Sequence, residues 1–212
     1  MSKFSDLALT RRSIRKYEEQ DIPLADIKEI IRIATSAPSA CNSQCWRFIA
    51  IKDKSMIQKI ADTVVTKFED ILSVSMNLLP ENYAASKKKA ITFFSKAPVV
   101  IAVFMTPWEY FDPMLVSVLE KQNYQGETLS NLFGYPDLLS VGAAIQNLLL
   151  AIHEKGYGAC WMNDPAVAGE EIRKLLDLPK DHKFISLIPV GVPAYTPREK
   201  RMKDFNEIFL EI

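Results

Sequence analysis

A chain of 212 residues, nearly half of them apolar and a quarter charged, has an ordinary soluble-protein composition and suits a single domain over 1–212 with a real core. Its 26 basic and 26 acidic residues cancel, which leaves no global field to draw it to nucleic acid or an anionic membrane; any anion must be held by a local cluster. Three cysteines, Cys41, Cys45 and Cys160, give no disulfide framework, and the two histidines, His153 and His182, lie too far along the chain to complete a zinc site with Cys41 and Cys45.

The cysteines therefore read as small buried thiols, with no metal bound. The N-terminal stretch has no apolar run of signal-peptide length, and the runs around Pro98–Met105 and Ser186–Val192 are too short to cross a bilayer, so the expectation is a cytoplasmic protein away from the membrane. Phe4–Thr10 reads as a short helix with Ser5 or Asp6 as its cap, and Arg11–Tyr17 as an irregular basic loop. Pro23 opens a helix whose apolar face is Leu24, Ile27, Ile30, Ile31 and Ala34, and which ends near Pro38. A loop, Ser39–Gln44, leads to a strand, Trp46–Ile51. Met56–Leu72 is helical, with Ile57, Ile60, Ala61, Val64 and Phe68 on one face; Ser73–Phe94 reads as helix broken by loop.

Ala97–Met105 is apolar throughout, as a strand covered on both faces would be. Thr106–Gly134 is aromatic and polar without a clean period and suits a lid with some helix. Leu138–Lys155 is the most apolar helix, with Val141, Ala144, Ile145, Leu148, Leu149 and Ile152 on its face, and Gly156 and Gly158 end it. Ala159–Met162 reads as a short strand, Ala168–Leu176 as a helix with Glu170 and Glu171 in its first turn, and Phe184–Val192 as the last strand. The tail, Tyr195–Ile212, starts basic and turns apolar. Three or four strands and about six helices, interspersed, give an α+β or α/β class.

Four segments carry chemistry. Arg11-Arg12-Ser13-Ile14-Arg15-Lys16 packs four cations and a hydroxyl into six residues; arginine forks fit phosphate oxygens, although a solvated basic turn looks the same in isolation. In Pro38-Ser39-Ala40-Cys41-Asn42-Ser43-Gln44, the Asn42 and Gln44 amides both donate and accept, which matches the pyrimidine edge of a flavin and, in isolation, equally a turn with satisfied polar side chains. Gly142–Ala151 leading to Gly156-Tyr157-Gly158-Ala159-Cys160-Trp161-Met162 is, by itself, a core helix and a turn. Gly191-Val192-Pro193, followed by Arg198, Lys200, Arg201 and Lys203, is a turn and a second basic cluster.

In this order and combination, the four segments resemble the nitroreductase family, from about Ser5 to about Lys203 but without a family signature in Asn77–Gly134. The resemblance implies an α+β fold, a central sheet flanked by helices, in an intertwined homodimer with two shared FMN sites. It assigns Arg11, Arg12 and Ser13 to the FMN phosphate and Arg15 to the flavin N1 and C2 carbonyl, where a fixed cation stabilises the negative charge of reduced flavin. It brings Pro38, Ser39 and Asn42, supported by Gln44, to the flavin of the other subunit. Met162 and Asn163 match the backbone near flavin N5, and Gly191, Arg198 and Lys200 match a turn that closes on the phosphate. The family usually has proline where Cys45 stands, which would put a thiol near the dimer interface.

The activity so implied is a ping-pong cycle: NADH or NADPH gives hydride to the flavin, leaves, and is replaced by a small-molecule acceptor such as a nitroaromatic or quinone. With no GxGxxG fingerprint, no separate dinucleotide site is indicated. Reductive dehalogenation, flavin breakdown, and flavin binding without turnover are the alternatives that share these contacts.

Overall fold

The protein is described by a computed structural model over residues 3–73, 79–80, 82–108 and 112–212. Its centre is set by one run of sequence. Val99–Met105 has no polar side chain and forms β2, buried along nearly its whole length. Side chains alternate across a strand. Val99, Ile101 and Val103 accordingly enter a core with α2 (Leu24–Ala34) and α7 (Pro136–Glu154), while Val100, Ala102 and Phe104 enter a second core with α3 (Lys54–Ser73) and α8 (Gly169–Leu175). β1 (Trp46–Ile51) and β4 (Lys183–Gly191) flank β2, both antiparallel, and a two-residue β3 (Gly158–Ala159) completes the order β1-β2-β4-β3. Phe104 and Phe184 meet edge to face across β2 and β4, 5.3 Å apart. The architecture is thus the expected α+β sheet with helices on both faces.

Helix α7 buries the anticipated face, Val141 to Ile152, and begins at Pro136, a residue suited to a first turn because it lacks an N–H. It ends on left-handed Gly156, whose N–H donates to the His153 carbonyl at 3.0 Å. The helix α1 (Lys3–Thr10) holds Ser5 and Asp6 inside rather than at a cap. Leu24, assigned to the apolar face of α2, is exposed because the first turn overhangs the core. The expected Ala159–Met162 strand is shorter: β3 stops at Ala159, and Met162 rejoins β4 through a single bridge to Leu187.

Within Ser73–Phe94 lies α4 (Tyr83–Thr92), the expected broken helix; residues 74–78 and 81 are outside the described residues. The Thr106–Gly134 region holds α5 (Pro113–Glu120), capped by the Asp112 carboxylate at 3.0 Å from two amides, and α6 (Glu127–Leu132); residues 109–111 are outside the described residues. These two short helices account for the underestimate of helix number, since six to eight residues are too few to show a period. Of the thiols, Cys45 and Cys160 are buried but Cys41 is exposed. Cys45 has no accessible surface and faces the Asp137 carbonyl, so it is buried within the protomer. Among the described residues, no helix is long and apolar enough to cross a membrane.

Candidate functional site

The basic loop Arg11–Tyr17 is stitched into the sheet edge rather than left in solvent. Ile14 N–H donates to the Ala159 carbonyl at 2.9 Å, Glu18 N–H to Val192 at 2.9 Å, and Ala194 N–H to Lys16 at 3.1 Å. The Tyr17 hydroxyl donates to the Ile14 and Pro189 carbonyls at 2.6 and 3.2 Å, and burial pushes its ionisation up. Two glycines permit this docking by close approach. A Cβ on Gly158 would lie 2.5 Å from Ile14 Cγ1, and one on Gly191 would lie 2.8 Å from the Tyr17 ring. Segments more than 140 residues apart in sequence thereby meet on one edge.

Arg11, Arg12 and Ile14 line a cavity of about 160 Å³ with His153, Tyr157, Pro193 and Pro197. Among the described residues, its wall has no acidic side chain. Ser13 and Arg15 lie outside this lining, and among the described residues none of Arg11, Arg12 and Arg15 forms an ion pair with a carboxylate. Arg12 Nη1 donates back to the Leu9 and Arg11 carbonyls at 2.6 and 2.8 Å, capping the end of α1, and Arg15 reaches the Ser13 carbonyl at 3.5 Å. Burial raises the Cys160 thiol's pKa, while Arg15, the Ser13 hydroxyl and Arg11 pull it back, which places those three donors around one buried atom. Gly191 is buried behind Tyr17, whereas Arg198 and Lys200 are exposed just beyond Pro197. The donor set, guanidinium forks and a hydroxyl without competing carboxylate, fits a terminal phosphate.

Of the residues that shape the far wall, the sequence motifs included Tyr157 but not His153. His153 stands beside Arg11 and Arg12. Tyr157 donates to Asp26 at 2.6 Å, and Lys155 bonds Asp26 and Glu29 at 3.0 and 2.8 Å, clasping the end of α7 to α2. The available signal was Asp26 three residues into α2 opposite a Lys-Gly-Tyr turn, and it becomes legible only when the two helices are known to pack. The Tyr157 hydroxyl and then Lys155 hold the Asp26 carboxyl below the usual carboxylate range. A depressed carboxylate stabilises the fold above its unfolded pKa and ceases to do so as pH falls through the folded one. Asp26→Asn should therefore lower the melting temperature by a steady amount down to about pH 5, and the gap should close below about pH 4. A gap unchanged into strong acid would mean that the carboxylate charge does not carry the clasp.

The polar loop is built differently. Cys41, Asn42 and Gln44 all have left-handed backbones, φ 54°, 52° and 46°, a concentration of strain typical of functional loops. Ser39 Oγ accepts from Gln44 N–H at 3.0 Å, Asn42 Oδ1 accepts from Gln44 Nε2 at 3.3 Å, and Ala40 N–H donates to Ser140 Oγ at 2.9 Å. Pro38, Asn42 and Gln44 are exposed. Ser140 is in the first turns of α7 and His153 in its last, so at 1.5 Å per residue the loop and the arginine cluster are about 20 Å apart in one chain. At the first turns of α7, beside Trp161 and Asn163, lies an open trough of about 620 Å³ floored by Leu138, Leu139, Gly142 and Ala143. The Met162 N–H and carbonyl are both committed to Leu187, at 3.0 and 3.1 Å. Asn163 lines the trough, and among the described residues its N–H has no hydrogen-bond partner.

Known proteins share this arrangement. The chain is 30% identical over 204 residues, 95% of its length and 83% of the relative's, to a Methanothermobacter thermautotrophicus protein named "Putative NADH dehydrogenase/NAD(P)H nitroreductase". It is 27% identical over 197 residues, 91% of its length and 90% of the relative's, to the iodotyrosine deiodinase of Thermotoga neapolitana. In three dimensions it is similar to a BluB-like flavoprotein of Clostridium difficile 630, with a TM-score of 0.86 and 31% identity over all of both chains. The nitroreductase family model matches residues 8–192, a span that runs from the basic loop to the turn after β4. With the arginine loop, the polar loop and the glycine-backed sheet edge all inside that span, the chain belongs to the nitroreductase family.

Proposed function

We propose that this flavoprotein is an FMN-dependent oxidoreductase that works as a homodimer, accepting hydride from NADH or NADPH and reducing a nitroaromatic, quinone or similar acceptor. The observation that carries this reading is the set of arginines without carboxylate partners, docked against a cavity sized for a phosphate and free of acidic side chains among the described residues. FMN, when bound, supplies the capacity to take up a hydride and pass the electrons on. The chain's own part is positioning and charge. Arg11, Arg12 and Ser13, with Arg198 and Lys200 beyond the turn, would hold the phosphate; Arg15 would face the ring where negative charge develops; Asn163 N–H would meet the ring edge.

The second subunit is supported by the distance between the two halves of the site and by uncovered apolar surface. Leu139 on α7 and Phe205, Ile208, Phe209 and Leu210 of the tail are all more than half exposed. Phe205 and Phe209 stack at 5.2 Å on the outside of the protomer. Such surface on a monomer marks an interface.

The purified protein should be yellow, release FMN and not FAD on heating, bleach with NADH or NADPH, and recover its colour with a nitroaromatic. A protein that cannot be loaded with FMN would sink the flavin assignment, and one that holds FMN but never bleaches would be a binding protein without turnover. Reductive dehalogenation is a second reading, favoured by the similarity to an iodotyrosine deiodinase. Anaerobic turnover of a halogenated phenol faster than a nitroaromatic would select it.

A further inference from the structure

One wall of the phosphate-sized cavity carries a side chain with no role so far. His153 projects from the last turn of α7 into the cavity shared by Arg11 and Arg12. Its Nε2 lies 2.8 Å from Thr10 Oγ1, and that hydroxyl already donates to the Asp6 carbonyl at 2.6 Å. Thr10 can therefore only accept, so Nε2 bears the proton and Nδ1 bears the lone pair. Among the described residues, the neighbouring charges leave the ring without an anion. Glu154 is paired with Lys3 on α1, Lys155 with Asp26 and Glu29 on α2, and the Tyr157 hydroxyl with Asp26. The loop contributes only Arg11 and Arg12, and the late turn contributes prolines, with Arg198 next in sequence.

We infer that His153 is a proton-taking ligand of the cofactor phosphate: the imidazole binds a proton at Nδ1 as the phosphate enters, and adds a cation to those of Arg11 and Arg12. The inference rests on the FMN reading above. Burial and then the two arginines hold the free ring's pKa below its usual value, which favours the neutral imidazole before the phosphate enters. A phosphate carrying close to two negative charges cancels the arginine field and favours the imidazolium. Binding then takes up a proton, and the histidine's contribution is largest in mildly acidic solution and fades as pH rises.

The test is equilibrium binding of FMN, and of riboflavin as the phosphate-free probe, to flavin-stripped full-length protein. Near pH 6 the wild type should bind FMN at least ~tenfold more tightly than His153→Gln, and near pH 8.5 the two should agree within about twofold. The second ionisation of FMN itself, near pH 6, affects both proteins alike and cancels in the ratio. Riboflavin should show no difference at either pH. His153→Lys, charged throughout, should bind FMN tightly at both and guards against a glutamine variant that merely folds poorly. A wild-type to glutamine ratio that does not change with pH, or an equal loss for riboflavin, would overturn the role of His153 alone. Absence of FMN binding by wild type at every pH would instead overturn the cofactor reading.

Discussion

Gly158→Ala is expected to weaken FMN binding by about tenfold or more and to destabilise the protein by ~1–3 kcal/mol, although residue 158 offers the cofactor no side chain. The new Cβ would sit 2.5 Å from Ile14 Cγ1 and 2.7 Å from Ile14 Cβ. Carbon atoms pack at about 3.5–4.0 Å, so roughly 1 Å of movement is forced. Ile14 is 4% exposed, β-branched, and tied by its N–H to Ala159, and it cannot swing aside. The displacement must pass to Ser13 and Arg15, its neighbours in the chain. Donors moved by that much lose hydrogen-bond geometry, and a charge-assisted bond is worth about 1.5–3 kcal/mol. Gly142→Ala is the comparison, since its nearest neighbour is Trp161 at 3.9 Å and its site is a helix interior. That variant should hold or raise its melting temperature. Normal FMN affinity in Gly158→Ala would show that the basic loop is not the phosphate clamp.

The second expectation is that two weakly binding parents, once mixed, regain tight FMN in up to about a quarter of all sites. Arg11→Ala should cost FMN about tenfold or more in affinity by removing phosphate donors. Asn42→Asp should weaken FMN from the other side, by replacing an amide that donates with a carboxylate that repels reduced flavin. Each acts on its own half of the site, and the two halves lie at opposite ends of α7 in one chain. In a shared-site dimer, a mixed dimer carries one wild-type pair of halves and one doubly altered pair. Equal mixing with subunit exchange should therefore restore up to about half of the sites in the mixed dimers, read as tight FMN per chain, while sedimentation shows dimers throughout. No recovery in verified mixed dimers would mean that each chain holds its own flavin, and a monomer that retains FMN at micromolar concentration would remove the dimer altogether.

Much of this protein was legible in its order of residues. Every position of Val99–Met105 is apolar, as in a strand covered on both faces, and the structure makes it the sheet's centre. Ile27, Ile30 and Ala34, and Val141 to Ile152, repeat at the helical period because one side of each helix must leave water. Local bonding sufficed there, and so the polar loop Ser39–Gln44 and the strand Trp46–Ile51 were also bounded correctly.

What the sequence could not decide are contacts between distant segments. Nothing near Gly158 says that Ile14 will lie 2.5 Å from its missing Cβ, and nothing near His153 says that Arg11 and Arg12 share its cavity. Nothing near Cys45 says that its thiol will be buried against the Asp137 carbonyl of α7. The short α5 and α6 lacked enough turns to show a period, and β3 was cut short because only two of its residues reach β4 in register. Periodicity reports which side of an element is buried, because that depends on neighbours within a few residues. Which element buries it, and which side chains from far along the chain then meet, depends on chain closure in three dimensions; that was settled only when the sheet edge, the basic loop and the end of α7 came together.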